Sequence, residues 1–105
     1  MTIVEVNTID EADHPPLDNV ERYCQRVLSY LEIRNCELSV LFCRDPYIQS
    51  LNKRYLGIDE PTDVLSFPQY EEGFVSGDNP VHAGDIVISM ETVRRNTARF
   101  SQLLE

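Results

Sequence analysis

Apolar residues between Leu17 and Leu31 recur three and four positions apart, at Leu17, Val20, Cys24, Val27, Leu28 and Leu31. That spacing lays one stripe along about four turns of helix, with Glu21, Arg22, Gln25 and Arg26 on the wet side and Tyr23 flanking the stripe. Pro15 and Pro16 pre-set φ for its start. Residues 2–7 alternate instead, with β-branched bulk from Ile3, Val4 and Val6, and predict a first strand ended by the acidic stretch from Asp10 to Asp13. After a turn at Asn35, residues 37–43 predict a second strand. Leu38, Val40 and Phe42 face one way and Ser39, Leu41 and Cys43 the other; both faces are largely apolar, as in a central strand covered on both sides.

Asp45-Pro46 predicts an N-cap and a first-turn proline, and Ile48, Leu51, Asn52 and Tyr55 share one face of the helix behind it. Asn52 on that face must find a hydrogen-bond partner, which the turn from Asp59 to Thr62 can supply. From Leu51 to Phe67 the chain passes from helix to strand. Gly57 stops the helix, a polar proline turn spans Asp59 to Asp63, and Val64 to Phe67 form a short apolar strand. Such turns put polar side chains at the mouth of a sheet, so Thr62, Asp63 and Ser66 either line a cleft or satisfy only the turn, while Val64, Leu65 and Phe67 anchor the strand.

The connection from Pro68 to Gly84 is longer than ordinary loops and is either a lid or unrestrained, with Phe74 and Val75 packing it back onto the sheet or pairing as an edge strand. A strand from Asp85 to Ser89 leads into a last helix, capped by Ser89, with Glu91 suited to the positive end of its dipole and Met90, Val93, Phe100 and Leu104 on its inner face. Leu103, Leu104 and Glu105 end the chain with no glycine cap and with negative charge at the negative end of the dipole, which predicts a chain cut off inside an element. The expected fold class is α+β. One domain over residues 1–105, incomplete at its C-terminus, packs helices on a mixed sheet of about four strands in the order β-α-β-α-β-β-α, its C-terminal helix truncated.

Charge narrows the range of partners. With 18 acidic and 9 basic residues the chain carries −9 at pH 7, which opposes tight phosphate binding because each contact needs a cation. Arg94, Arg95 and Arg99 cluster without interleaved aromatics and predict a solvated helix face. No basic start precedes an apolar run, and no apolar stretch nears the roughly 20 residues of a membrane span, so a cytoplasmic location is expected. Cys24, Cys36 and Cys43 are odd in number and lack C-x-x-C spacing, which favours buried free thiols. His14 and His82 lie far apart without ligand motifs, and His14 is expected at the surface.

As an ordered string, Leu51-Asn52 through Tyr55, then Asp59 and Pro61-Thr62-Asp63-Val64-Leu65-Ser66-Phe67-Pro68, resembles the YbeY family of bacterial rRNA maturation endoribonucleases. Gly84-Asp85-Ile86-Val87-Ile88-Ser89 is similar to the strand that follows in that family; the resemblance covers most of the chain from about Val40 onward and implies, in place of one continuous last helix, a break near Phe100 with Ser101 capping a new helix that begins at Gln102. It implies a single-strand-specific, metal-dependent endoribonuclease acting in rRNA maturation, at the 3′ end of 16S rRNA, and in ribosome quality control. The implied partners are rRNA and small ribosomal subunit proteins, with neither DNA nor a membrane. The resemblance also implies a zinc site, made by two histidines four apart on one helix face and a third five residues on, with a fourth position left for water.

Those histidines belong to a segment beyond position 105, so this chain is expected to hold no zinc and to carry no catalytic residue or metal ligand. Where the family has an arginine after the aromatic residue, this chain has Leu56, which cannot offer a guanidinium fork to phosphate. Leu56, Thr62, Asp63, Ser66 and Asp85 are the candidate cleft-lining residues. Three readings stay open: the N-terminal part of a zinc-dependent endoribonuclease, a non-catalytic ribosome-assembly binding module, or an inactive fragment whose sheet has one uncovered face.

Overall fold

A computed structural model describes residues 2–68 and 81–103. The elements follow the expected order: β1 (Ile3–Thr8), α1 (Leu17–Tyr30), β2 (Cys36–Cys43), α2 (Asp45–Leu56), β3 (Val64–Pro68), β4 (Val81–Ser89) and α3 (Met90–Leu103). The strands form one mixed sheet in the order β1-β2-β4-β3, parallel from β1 through β2 to β4, with β3 antiparallel to β4. The fold is α+β.

β2 is central, as its two apolar faces require, and Cys36, Val40, Phe42 and Cys43 are all buried. Strand alternation puts Ser39, Leu41 and Cys43 on one face with their register partners Asp85, Val87 and Ser89. Under α2 that face builds a core from Cys43, Ile48, Leu65 and Val87, with Leu51 and Phe67 against it. The opposite face meets α1, where Val4, Leu28 and Cys36 pack with Val6, Cys24 and Leu38.

Several elements depart from their sequence pattern. Of the α1 stripe only Leu28 is buried; Leu17, Val20 and Cys24 are half-buried, and Val27 and Leu31 are exposed. The helix lies chiefly over the edge strand β1, so its stripe overhangs the sheet. In β3, Leu65 is buried and Phe67 half-buried, but Val64 is exposed because it faces away from α2. His14 is half-buried rather than at the surface, its ring 6.1 Å from that of Phe42.

β4 starts four residues before the expected Asp85, because β2 offers it partners from Cys36 onward and a register shift after Glu37 passes over Ala83. His82 therefore belongs to a strand, not to a loop. Gly84 is a strand residue at a tight crossing: a Cβ there would stand 2.7 Å from the Phe67 carbonyl oxygen, and its φ of 151° suits glycine. Phe74 and Val75 lie outside the described residues, as does Leu104. α3 runs unbroken through the expected break near Phe100, and Phe100 itself is 62% exposed, not on an inner face.

Candidate functional site

Three element ends meet where the parallel strands β2 and β4 finish. Asp45 was expected to cap α2, but Arg44 takes the cap position with extended backbone and Asp45 is the first helical residue. Its carboxylate turns to the start of α3 instead. Ser89 Oγ and Thr92 Oγ1 each donate to Asp45 Oδ1 at 2.7 Å, and Arg95 Nη1 lies 2.6 Å from Oδ2. Arg95 Nη2 also donates to Thr92 Oγ1 at 2.9 Å.

Burial alone would push the Asp45 carboxyl up, but the hydrogen bonds from Ser89, Thr92 and Arg95, with the Arg95 charge, outweigh it and hold the group below its ordinary value. Glu91 closes the knot from the other side, accepting the Asp45 backbone N–H at 2.9 Å and pairing with Arg44 at 3.5 Å. The arginine cluster of α3 is thus not simply solvated: Arg95 serves Asp45, and Arg94 pairs with Asp13. A signal for this knot was present in the sequence, since Ser89 directly precedes the helix and Thr92 and Arg95, three residues apart, share a face of its first turns.

The return from α2 to β3 is fixed along its length. Gly57 takes a left-handed φ of 72° and closes the helix through its N–H to the Lys53 carbonyl at 3.0 Å. Asn52, 4% exposed, donates to the Glu60 carbonyl at 3.0 Å, the kind of partner its place on the inner face demands. Gln49 and Lys53 hold Asp59 from the wet side. Asp63 Oδ1 accepts the Val64 N–H at 2.8 Å and the Thr62 hydroxyl at 3.4 Å, and the Asp63 carbonyl accepts the Ser89 N–H at 2.9 Å. The turn is tied to the polar knot through that last bond.

Beside α2 lies a groove of about 340 Å³. Leu41 and Val87 give it an apolar floor, Tyr47, Leu51 and Tyr55 form one wall, and Ser39 and Asp85, register partners on β2 and β4, make its polar end. Tyr55 meets Phe67 edge-on at 5.2 Å, and the Arg54 guanidinium lies 5.3 Å over the Tyr55 ring.

Of the five candidate residues, Asp85 lines the groove. Leu56 ends α2 one residue past the Tyr55 wall and is 62% exposed. Thr62 and Asp63 stand in the turn beside Ser89, four strand residues or about 13 Å along β4 from Asp85. Ser66 is exposed on the other face of the sheet from Phe67. These residues occupy separate places in the fold. The groove wall at Tyr47 and the pairing of Ser39 with Asp85 were not read from the sequence, because the register between β2 and β4 is written in neither strand alone.

The cysteines are free thiols; Cys36 and Cys43 are buried and Cys24 half-buried, and burial pushes the Cys43 thiol up to about 11. Among the described residues no three His, Cys, Asp or Glu side chains come together to hold a metal ion. They do not fit the zinc site that the family resemblance implies. No described helix is long and apolar enough to cross a membrane.

The sheet order, the antiparallel edge strand and the pinned return from helix to strand define an α+β domain with a one-sided groove. The family model described as Endoribonuclease YbeY matches residues 5–105, and the chain belongs to that family. An Endoribonuclease YbeY from Treponema denticola is 46% identical over 94 residues, which cover 85% of this chain and 61% of that protein. One from Aquifex aeolicus is 42% identical over 88 residues, covering 84% of this chain and 56% of the relative. The chain therefore spans about three fifths of the length of the relatives it matches. The solution structure of TM1509 from Thermotoga maritima superposes with a TM-score of 0.58 at 24% identity, over 94% of this chain and 59% of that one, and bears on the fold alone.

Proposed function

We propose that this chain forms part of a metal-dependent endoribonuclease that cuts single-stranded RNA in rRNA maturation, at the 3′ end of 16S rRNA, and in ribosome quality control. In this reading it works in the cytoplasm with rRNA and small ribosomal subunit proteins. The observation that carries the proposal is the match of residues 5–105 to a family whose members are named Endoribonuclease YbeY. The residues present here act as scaffold. The Asp45 knot fixes where α3 leaves the sheet, and the bonds from Asn52 to Glu60 and from Ser89 to Asp63 hold the α2 to β3 return against the end of β4. The zinc implied by the resemblance is assigned to no described residue.

The test joins this chain to the remaining portion of the Treponema denticola relative and incubates it with labelled RNA from the 3′ end of 16S rRNA, single-stranded and duplexed. Cleavage of the single strand, lost on adding a chelator, is the expected result. Equal cutting of the duplex, or cutting that ignores the chelator, would contradict the proposal.

A second reading is favoured by position 56. Lys53 pairs with Asp59 and Arg54 lies over Tyr55, so neither replaces the guanidinium that Leu56 lacks. A non-catalytic ribosome-assembly module follows if the joined protein co-sediments with small ribosomal subunits and leaves their RNA uncut.

A further inference from the structure

We propose that α1 pairs two copies of this chain, its exposed face packing antiparallel against the same face of a second copy across a two-fold axis. The pairing holds whether or not the protein is a nuclease. Tyr23, Val27 and Tyr30 stand at i, i+4 and i+7 and share one side of the helix, beside the line of Cys24 and Leu28 that packs on the sheet, and Leu31 extends that side. All four are exposed, Tyr23 at 69% and Tyr30 at 88%. The two tyrosines alone present on the order of 300 Å² of surface, the size of patch that marks an interaction site on a monomer. With Val27, Leu31 and the stem of Arg26 the face comes to roughly 550 Å², close to the about 600 Å² per side at which specific interfaces begin.

The face also matches itself. Residues 23–30 begin and end on a tyrosine, with Arg26 and Val27 in the middle. An axis passing between Arg26 and Val27 sets Tyr23 of one copy against the partner's Tyr30, and does so twice, which is the self-complementarity a two-fold interface requires. Each Arg26 then lies beside the partner's tyrosine rings, where its guanidinium gains a cation–π contact.

Charge selects this face and this occupant. Residues 17–34 carry Arg22, Arg26 and Arg34 against Asp18, Glu21 and Glu32 and are neutral, whereas the whole chain carries −9. Two copies repel over most of their surfaces and meet here without that cost. Among the described residues Arg44, Lys53, Arg94 and Arg95 each pair with a carboxylate, while no ion pair engages Arg26 or Arg34. Exposed tyrosine and arginine are the side chains that carry most binding energy between proteins. An RNA strand fits less well, because a neutral helix has no excess of cations to hold a phosphate chain.

Sedimentation equilibrium between about 5 μM and 1 mM tests the pairing, on the chain and on the chain joined to the remaining portion of the Treponema denticola relative. The mass of the chain should rise from 12.1 kDa toward twice that value, and the joined protein should double likewise. Tyr23→Glu and Tyr30→Glu should each raise the dimer Kd at least about tenfold. Phe100→Glu, which adds the same charge at an exposed site of α3, should leave it unchanged. Both tyrosines are exposed, so their variants keep the fold, which circular dichroism checks.

A monomer at every concentration overturns the proposal, and so does a dimer that tolerates both tyrosine variants. A joined protein that stays monomeric while the chain pairs would give the face to the rest of the family chain and overturn it. So would a single-stranded oligonucleotide that dissolves the dimer and fails to bind Tyr23→Glu, since the face would then belong to RNA.

Discussion

α2 and α3 start from one polar knot and meet different surroundings. Asp45 opens α2 and anchors α3 through Ser89, Thr92 and Arg95. From there α2 lies along the sheet, with Ile48 at 0% exposure, Asn52 bonded to the return and Gly57 closing the helix. α3 has buried Thr92 and half-buried Met90 and Val93 at its start and only exposed described side chains afterwards. A helix of 14 residues is near the length, about 12–15 residues, below which isolated helices are marginal in water. The comparison teaches that an amphipathic pattern specifies a helix, whereas a sheet face beneath it decides how firmly the helix is held.

The largest effects are expected on the α2 side. Ile48→Ala should cost about 2–5 kcal/mol, since it empties a fully buried site between α2 and the sheet. Urea unfolding would show this as a lower midpoint at unchanged slope. Gly84→Ala should cost about 2–4 kcal/mol, because the new Cβ meets the Phe67 carbonyl and β3 must shift. The same titration reads it, and an unchanged midpoint would mean that β3 gives way freely.

Asp45→Ala acts on the feature the two helices share. It should cost about 2 kcal/mol, leaving two hydroxyls and a guanidinium without their acceptor. The loss should fall first on α3, seen as faster amide exchange there than in α2.

The pH dependence follows from the same group. The folded-state pKa of Asp45 lies below its ordinary value of 3.8, so its contribution is present above that value and is lost as pH falls through the folded pKa. Denaturation midpoints between pH 6 and 2 should therefore decline at the acid end in the wild type and decline less in Asp45→Asn. The smallest effect is expected far along α3. Phe100→Ala should stay within about 0.5 kcal/mol, as for a residue 62% exposed.

Much of the architecture was legible along the chain because its signals are local. The stripe of α1, the alternation of β2, the glycine stop at Gly57 and the need of Asn52 for a turn partner each lie within a few residues of sequence. What was not legible depends on neighbours distant in sequence. β4 begins at Val81 because β2 has free partners there, and Asp45 serves α3 because the ends of β2 and β4 lie side by side. The break expected near Phe100 came from a resemblance, and the backbone continues through it. The groove needs α2, β2 and β4 in register at once, which explains why only Asp85 of its lining was among the candidates.

Native-state hydrogen exchange of this chain, resolved by residue, tests the account most directly. Amides of α2 around Ile48 and Asn52 should exchange only with global unfolding, while those of α3 beyond Val93 should exchange faster by orders of magnitude. Equal protection along both helices would contradict the account, since it would require a packed surface under α3 that these side chains do not make.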